Sequence, residues 1–305
     1  MTALPAISIV IPHLNDAERL GRCLVALAAQ DFDMARAEVI VVDNGSREPP
    51  AALVAGFPGA RLAEEATPGP GPARNRGAAL AAAPILAFTD SDCIPEPGWV
   101  TAILARFAAE PATGIIGGEV RVFAADPGRP TPAEAYDLLF GFQQRAHIAK
   151  RRFSVTANLA VRRAVLEAVG PFGGLEVSED LDWGQRAAAL GHRTHFAPEM
   201  VVRHPARADM TAIRAQWDRH TSHHWRVRGA TARGRLQWAL TIPVMAASPL
   251  AAIPKILASD RVASAGTRWQ AFRVLGLIRL YRARRMLEAM RGGRARTASR
   301  SWNRG

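Results

Sequence analysis

Residues 85–97 read Ile-Leu-Ala-Phe-Thr-Asp-Ser-Asp-Cys-Ile-Pro-Glu-Pro, and no other stretch restricts the fold as much. The apolar run Ile85–Phe88 is too short for a helix and has the pattern of a strand buried on both faces, as in a parallel sheet. Asp90 and Asp92 follow at i and i+2, where such a strand stops. In open α/β sheets ligands bind beyond the carboxyl ends of the strands, so these carboxylates fall where a ligand would be met. Two like charges so close repel and draw in a counter-charge, which a hard divalent cation on a phosphate would supply. A polar turn broken by Pro95 and Pro97 has the same local pattern, so the rest of the chain decides.

The rest of the chain repeats the theme. Ile7-Ser8-Ile9-Val10-Ile11 is a β-branched run stopped by Pro12; Asn15 and Glu18 then form a capping-box pattern before a helix carrying Leu20, Cys23, Leu24 and Leu27. A second buried run, 39–42, ends in Asp43-Asn44-Gly45-Ser46, again an acid followed by turn-formers. A weaker helix (50–57) and strand (60–63) lead into the Gly/Pro-rich loop 67–72 and an Ala-rich helix over 73–83 with Arg74 in its first turn. That loop lacks both the Walker lysine and Gly-x-Gly-x-x-Gly, so it reads as a hinge, with Arg74 either a phosphate or base contact or a solvated helix start. Helix Trp99–Ala109 and a strand over 114–122 continue the alternation, which predicts a doubly wound, mostly parallel sheet flanked by helices.

From 131 to 152 the pattern gives a helix and a basic loop; 155–163 resumes as a strand with Asn158 in its middle. Ser178 is placed to cap a helix whose first turn holds Glu179, Asp180 and Asp182, and the helix macrodipole alone is reason enough for three acids there. Two strand-like pieces, 193–196 and 200–203, precede His204-Pro205.

The chain has 305 residues and is 49% hydrophobic, enough for a full core. Two cysteines exclude a disulfide framework and a zinc site, and fit a reducing compartment. No signal-peptide pattern opens the chain. Charge is unevenly spread: 21 of the 39 Lys and Arg, but 4 of the 27 Asp and Glu, lie from Arg203 onward. Such a split points to a site-bearing domain and a basic extension that meets something anionic. Residues 209–228 read as a helix whose histidines (His220, His223, His224) fit a polar face better than a metal site. Between Leu236 and Pro254 there is no charge, with Arg233, Arg235, Lys255 and Arg261 on the flanks; three prolines favour a segment that dips into or lies along a bilayer over one crossing it. Residues 269–290 interleave aliphatic residues with arginines, as in a basic interfacial helix or one packed on the domain with a solvated basic face.

Four pieces, Ser8–Pro12 with Asn15, Val41–Ser46, Phe88–Cys93 and Ser178–Trp183, stand in an order that resembles family-two inverting glycosyltransferases with the GT-A fold, over about residues 5–205. The resemblance implies a nucleoside-diphosphate sugar donor and an acceptor hydroxyl. Pro12, Asn15, Asp43 and Arg74 would lie on the donor side, Asp90 at the ribose, and Asp92, with Asp90 and His204, would hold Mg²⁺ or Mn²⁺. Asp180 would be the general base, with Glu179 the other residue able to reach. The implied division is a catalytic domain over 1–207, a helical, membrane-associated extension over 208–291, and a disordered basic tail over 292–305. The implied setting is cytoplasmic, peripheral at the inner face of the cell membrane, with a lipid-linked or cell-envelope polysaccharide precursor as acceptor. Processive synthesis is not expected, since Gln216-Trp-Asp-Arg219 is a distant echo of the Gln-x-x-Arg-Trp signature. A nucleotidyltransferase would need a glycine loop with a basic residue after the first strand, where 12–20 offer Arg19 alone. A non-catalytic scaffold with a nucleic-acid-binding tail fits the interleaved aliphatic residues poorly, so no nucleic-acid partner is expected.

Overall fold

The computed structural model describes residues 4–262 and 264–292; the tail expected to be disordered, past Gly292, lies outside the described residues. Eight strands, β1 (Ile7–His13), β2 (Ala37–Asp43), β3 (Ala60–Glu64), β4 (Ile85–Phe88), β5 (Ile94–Pro95), β6 (Ile115–Phe123), β7 (Leu159–Arg162) and β8 (Thr194–Pro205), form one sheet in the order β3-β2-β1-β4-β7-β6-β8-β5. The α/β class follows the sequence pattern. The parallel part comprises β3, β2, β1 and β4, whereas β4–β7, β6–β7 and β5–β8 are antiparallel, so the sheet is mixed. The antiparallel β7 sets Leu159 beside Phe88, which brings the chain just before β7 to the carboxyl end of β4.

Alternation along the strands sorts the core into two layers. Ile9, Ile11, Val39 and Val41 face one cluster with Leu20, Leu24, Trp99 and Ile103, while Val10, Ile40, Val42, Leu86 and Phe88 face another with Phe172 and Trp183. Both faces of β1, β2 and β4 are therefore covered, and their sequences read as unbroken apolar runs. Each such side chain contributes about 1.5–3 kcal/mol on burial.

Three local expectations change. Asn15 is not the cap of the first helix; Asp16 is, with its side chain accepting from Arg19 N, while Asn15 has φ +51°. The two strand pieces expected after 193 are one strand, β8, with Pro198 inside it. Asn158 lies not within a strand but in the short 3-10 turn Thr156–Asn158 before β7. Buried there, it accepts from Trp99 Nε1 (2.8 Å) and donates to the carbonyls of Glu119 and Met200, so its amide is satisfied by segments from three parts of the chain.

The chain divides into two compact units. One holds the residues up to Arg121 and Phe142–His204; the other holds Val122–Gly141 and the residues from Pro205 on. This differs from a single boundary at 207, because helix Pro132–Phe140 buries Ala133, Tyr136 and Leu139 with Ile213, Val274, Leu275 and Ile278 of the C-terminal helices. A capping box between Thr131 and Glu134 starts that helix, and Arg207 fastens to Asp137 at 2.7 Å.

Helix Pro70–Leu80 lies close against β1 and β2 because Gly77 has no side chain: a Cβ there would collide with Val10 and press on Val42. Alanine at this position gains about 1 kcal/mol of helix propensity but overpacks the sheet by about 1–3 kcal/mol or more. Gly77→Ala is therefore expected to lower stability by about 1–2 kcal/mol, read as a fall in the urea midpoint at unchanged m-value; a raised midpoint would show that the helix can lift off the sheet freely.

Candidate active site

β1 has β2 on one side and β4 on the other, both parallel to it, so the winding reverses at β1 and leaves a crevice at the carboxyl ends. β1 ends in His13, opposite Asp43 at the end of β2. Asp43 is buried and shapes the following turn: its carboxylate accepts from the hydroxyl of Ser46 (2.5 Å) and from the backbone N–H groups of Ser46 (3.1 Å) and Gly45 (3.3 Å). Asn15 ties its own loop to this turn, with its N–H donating to Ser46 Oγ and its Oδ1 accepting from Arg47 N. Asn44 donates to the carbonyls of Glu65 and Thr67 and accepts from Gly69 N, so the Gly/Pro-rich loop is fixed to the same turn. Pro12 is partly buried one residue before His13.

Arg74 connects the rest of the rim. It is 3% exposed, and its guanidinium donates to Asp90 Oδ1 at 2.6 Å and to Glu179 Oε1 at 3.0 Å. Pro70 in the first turn starts the helix early enough to place Arg74 over the end of β4. Asn75 holds that helix to the segment leading to Glu179 through a reciprocal pair with the backbone of Phe172, 2.9 and 2.8 Å. Arg74 is thus neither solvated nor turned outward as a lone donor contact; it joins the acidic pair after β4 to the acids of helix Glu179–Ala189.

Those acids have separate fates. Asp182 pairs with Arg186 one turn on, at 2.9 Å. Glu179 faces Arg74. Asp180 Oδ1 accepts from the next residue's N–H, that of Leu181, at 2.7 Å. Burial, and then the neighbouring Glu179 charge, push the Asp180 carboxyl up to about 7. Ser178 precedes this helix at the cap position without a side-chain capping bond.

On the other side of Asp90, Asp92 Oδ2 lies 3.3 Å from His204 Nε2 at the end of β8. Burial raises the Asp92 carboxyl and the nearby histidine opposes this. Asp92, Cys93 and His204 present ligand atoms within 4.8 Å of one another, and they are the group able to hold a metal ion among the described residues. Cys93 is wholly buried and its thiol is pushed well up, so it stays protonated. The carboxylate suits Mg²⁺ or Mn²⁺, and the imidazole, a ligand of first-row transition metals, favours Mn²⁺ of the two. Asp90, expected to share the metal, is turned to Arg74 instead.

Residues 8–170 match the family described as "Glycosyl transferase family 2". The chain belongs to that family. The family match closes before helix Glu179–Ala189, but glycosyltransferase AglE of Haloferax volcanii is 35% identical over 212 residues, 68% of this chain and 69% of AglE. The GT-A architecture is shared with a mannosyltransferase from Pyrobaculum calidifontis solved with GDP-Man and Mn²⁺ (TM-score 0.59, 18% identity, covering 94% of this chain and 88% of that one). It is also shared with S. aureus TarS 1-349 solved with UDP-GlcNAc (TM-score 0.52, 19% identity, 86% and 69%). Membership in glycosyltransferase family 2 displaces the nucleotidyltransferase reading.

Two features of this glycosyltransferase site were missed in its sequence. One is the Arg74 bridge, for which the sequence holds no sign beyond an arginine at a helix start. The other is His13, buried at the end of β1 with both ring nitrogens unpaired. Burial lowers its pKa, with Asp43 and Asp16 opposing, so a neutral imidazole stands at the rim. Its position directly after the first strand was the available signal.

Removing the guanidinium leaves Asp90 and Glu179 facing each other without a counter-charge. Arg74→Met is expected to cost about 3 kcal/mol, the low end for a broken buried pair because the two acids keep some solvent. The drop in denaturant midpoint checks this; an unchanged midpoint would mean that the bridge contributes nothing net.

Proposed function

We propose that the protein transfers a sugar from a nucleoside-diphosphate sugar to an acceptor hydroxyl with inversion at the anomeric carbon, Asp180 acting as general base. The observation that carries this reading is the Arg74 bridge, because it joins the Asp90/Asp92 pair and the Glu179/Asp180 pair in one rim at the sheet's switch point.

The donor's nucleoside is assigned to the crevice between β1 and β4, with Asp43, Asn15 and Pro12 shaping the turn walls and Asp90 on the ribose side. The donors bound by the two solved relatives, GDP-Man and UDP-GlcNAc, are both nucleoside-diphosphate sugars and support this class. Asp92 and His204 would hold a divalent cation. When bound, it neutralises negative charge on the departing diphosphate.

The transfer itself is a single displacement. The acceptor oxygen forms a bond to the anomeric carbon, the bond from that carbon to the diphosphate oxygen breaks, and the acceptor proton passes to Asp180. A carboxylate held at about 7 suits that task, since it is half ionised near neutrality and still basic enough to accept a proton. Glu179 is occupied by Arg74 and serves as a positioning residue. We assign the acceptor to a lipid-linked or cell-envelope polysaccharide precursor, on the support of the uncharged, basic-flanked run 236–254.

Two variants test the division of labour. Asp92→Ala is expected to abolish metal-dependent thermal stabilisation by a nucleotide sugar. Asp180→Asn is expected to keep that stabilisation and lose transfer by about 10²–10⁴-fold; transfer at the parental rate would overturn the base assignment.

A pH series gives an independent check. Transfer at low substrate is expected to rise with pH to a plateau, with an apparent pKa near 7. Because this carboxyl is raised in the folded state, the native protein binds the extra proton between the ordinary carboxylate range and about 7, so its contribution to stability falls as pH rises through that window. Asp180→Asn should remove both slopes.

A further inference from the structure

The second unit leaves apolar surface uncovered. In helix Ala232–Ala247 the buried residues are Gly234 and Trp238. Trp238 Nε1 donates to the Met286 carbonyl at 3.1 Å, and Arg279 Nη1 lies 3.2 Å from Met245 Sδ, so this helix runs antiparallel to helix Ala265–Met290. On its other side Leu236, Leu240 and Val244, spaced i, i+4, i+8, are 62%, 63% and 65% exposed, and Leu250 and Leu257 continue the surface at 67% and 62%. Helix Ala265–Met290 exposes Trp269, Leu277, Leu280 and Leu287, and Arg273 and Arg284 are exposed at the intervening positions of the same heptad-spaced face. This is not a solvated basic face; it is an apolar one set with arginines.

We propose that this surface docks in the headgroup plane of an anionic bilayer. A row of leucine and valine side chains left exposed along one helix face, with a second such row on helix Ala265–Met290, marks an interaction site, and charge selects the partner. A second copy of the chain would cover the leucines but bring together two regions that each carry the 21 basic and 4 acidic residues counted from Arg203 onward. A nucleic acid would match the charge and leave the leucines in water. A lipid surface with anionic headgroups satisfies both, taking the side chains into the acyl boundary and the arginines at the phosphates. The geometry favours lying over crossing: no single described helix is long and apolar enough to span, and the apolar pair Ala232–Ala247 with Leu250–Leu257 is bent by 64°. The leaflet carrying such charge is the cytoplasmic one, which makes the chain peripheral at the inner face of the cell membrane.

Flotation of the full chain with vesicles tests this without reference to sugar transfer. The chain is expected to float with phosphatidylcholine vesicles containing about 30 mol % phosphatidylglycerol and to stay behind with phosphatidylcholine alone. The double variant Leu240→Glu, Val244→Glu should lose about tenfold or more of the bound fraction while its melting temperature stays unchanged, since both side chains face solvent. Three results would each overturn the proposal: no flotation of the parent with anionic vesicles, equal flotation of parent and variant, or a parental dimer in sedimentation that the variant dissociates.

Discussion

A guanidinium buried among carboxylates organises this molecule. Arg74 and Glu179 are 105 positions apart in the chain, and their 3.0 Å contact is possible only once the helix bearing Arg74 and the helix bearing Glu179 have both settled on the sheet. Taking a guanidinium out of water is costly unless it is well paired, and here Nη1 and Nη2 each have a carboxylate while Nε has no partner. The charge around it stays unbalanced. Asp90, Asp92, Glu179 and Asp180 stand at the rim against Arg74 and a histidine, so acidic groups outnumber basic ones there. That excess is one cause of the raised Asp92 and Asp180 carboxyls, after burial, and it is what a divalent cation would complement.

Bringing Arg74 into place depends on packing before it depends on charge. The helix that carries it can sit low over β1 and β2 because Gly77 faces Val10 and Val42, and its first turn is clamped by Asn75 to the backbone of Phe172. Gly69, at φ +124°, turns the chain into that helix while its N–H is taken up by Asn44, in the turn that Asp43 shapes. One network of short loops therefore sets the β2 turn and the Arg74 helix together, and through them the rim.

What could be read from the sequence follows the range of the forces involved. Strands β1, β2 and β4 and the acids after them were legible because burial on both faces writes itself into consecutive residues. The helix Trp99–Ala109 was legible for the same local reason. Asn15 was misjudged as a cap because Asn-x-x-Glu has the capping pattern, while its real partners, Ser46 and Arg47, lie some thirty positions away. The allegiance of helix Pro132–Phe140 was also hidden: its apolar face shows that something covers it, but not that the cover is Val274, Leu275 and Ile278. His13 went unremarked because the first strand reads as stopping at Pro12, and its unpaired ring nitrogens are a property of what surrounds it, not of its neighbours in sequence.

The three acids that open helix Glu179–Ala189 show where local reasoning stops. The macrodipole accounts for all of them equally, and no spacing rule separates them. Tertiary pairing does. Asp182 is taken by Arg186 and Glu179 by Arg74. Asp180 has no such ion pair; it keeps one backbone N–H from Leu181, is half-buried, and sits beside the charge of Glu179. A stronger ion pair at Asp180 would lower its proton affinity and spoil it as a base. Arg74 pairs with Glu179 and not with Asp180, so the Glu179 charge stays beside the carboxyl that has to accept the proton; burial and that charge raise Asp180, while the nearby guanidinium pulls the other way.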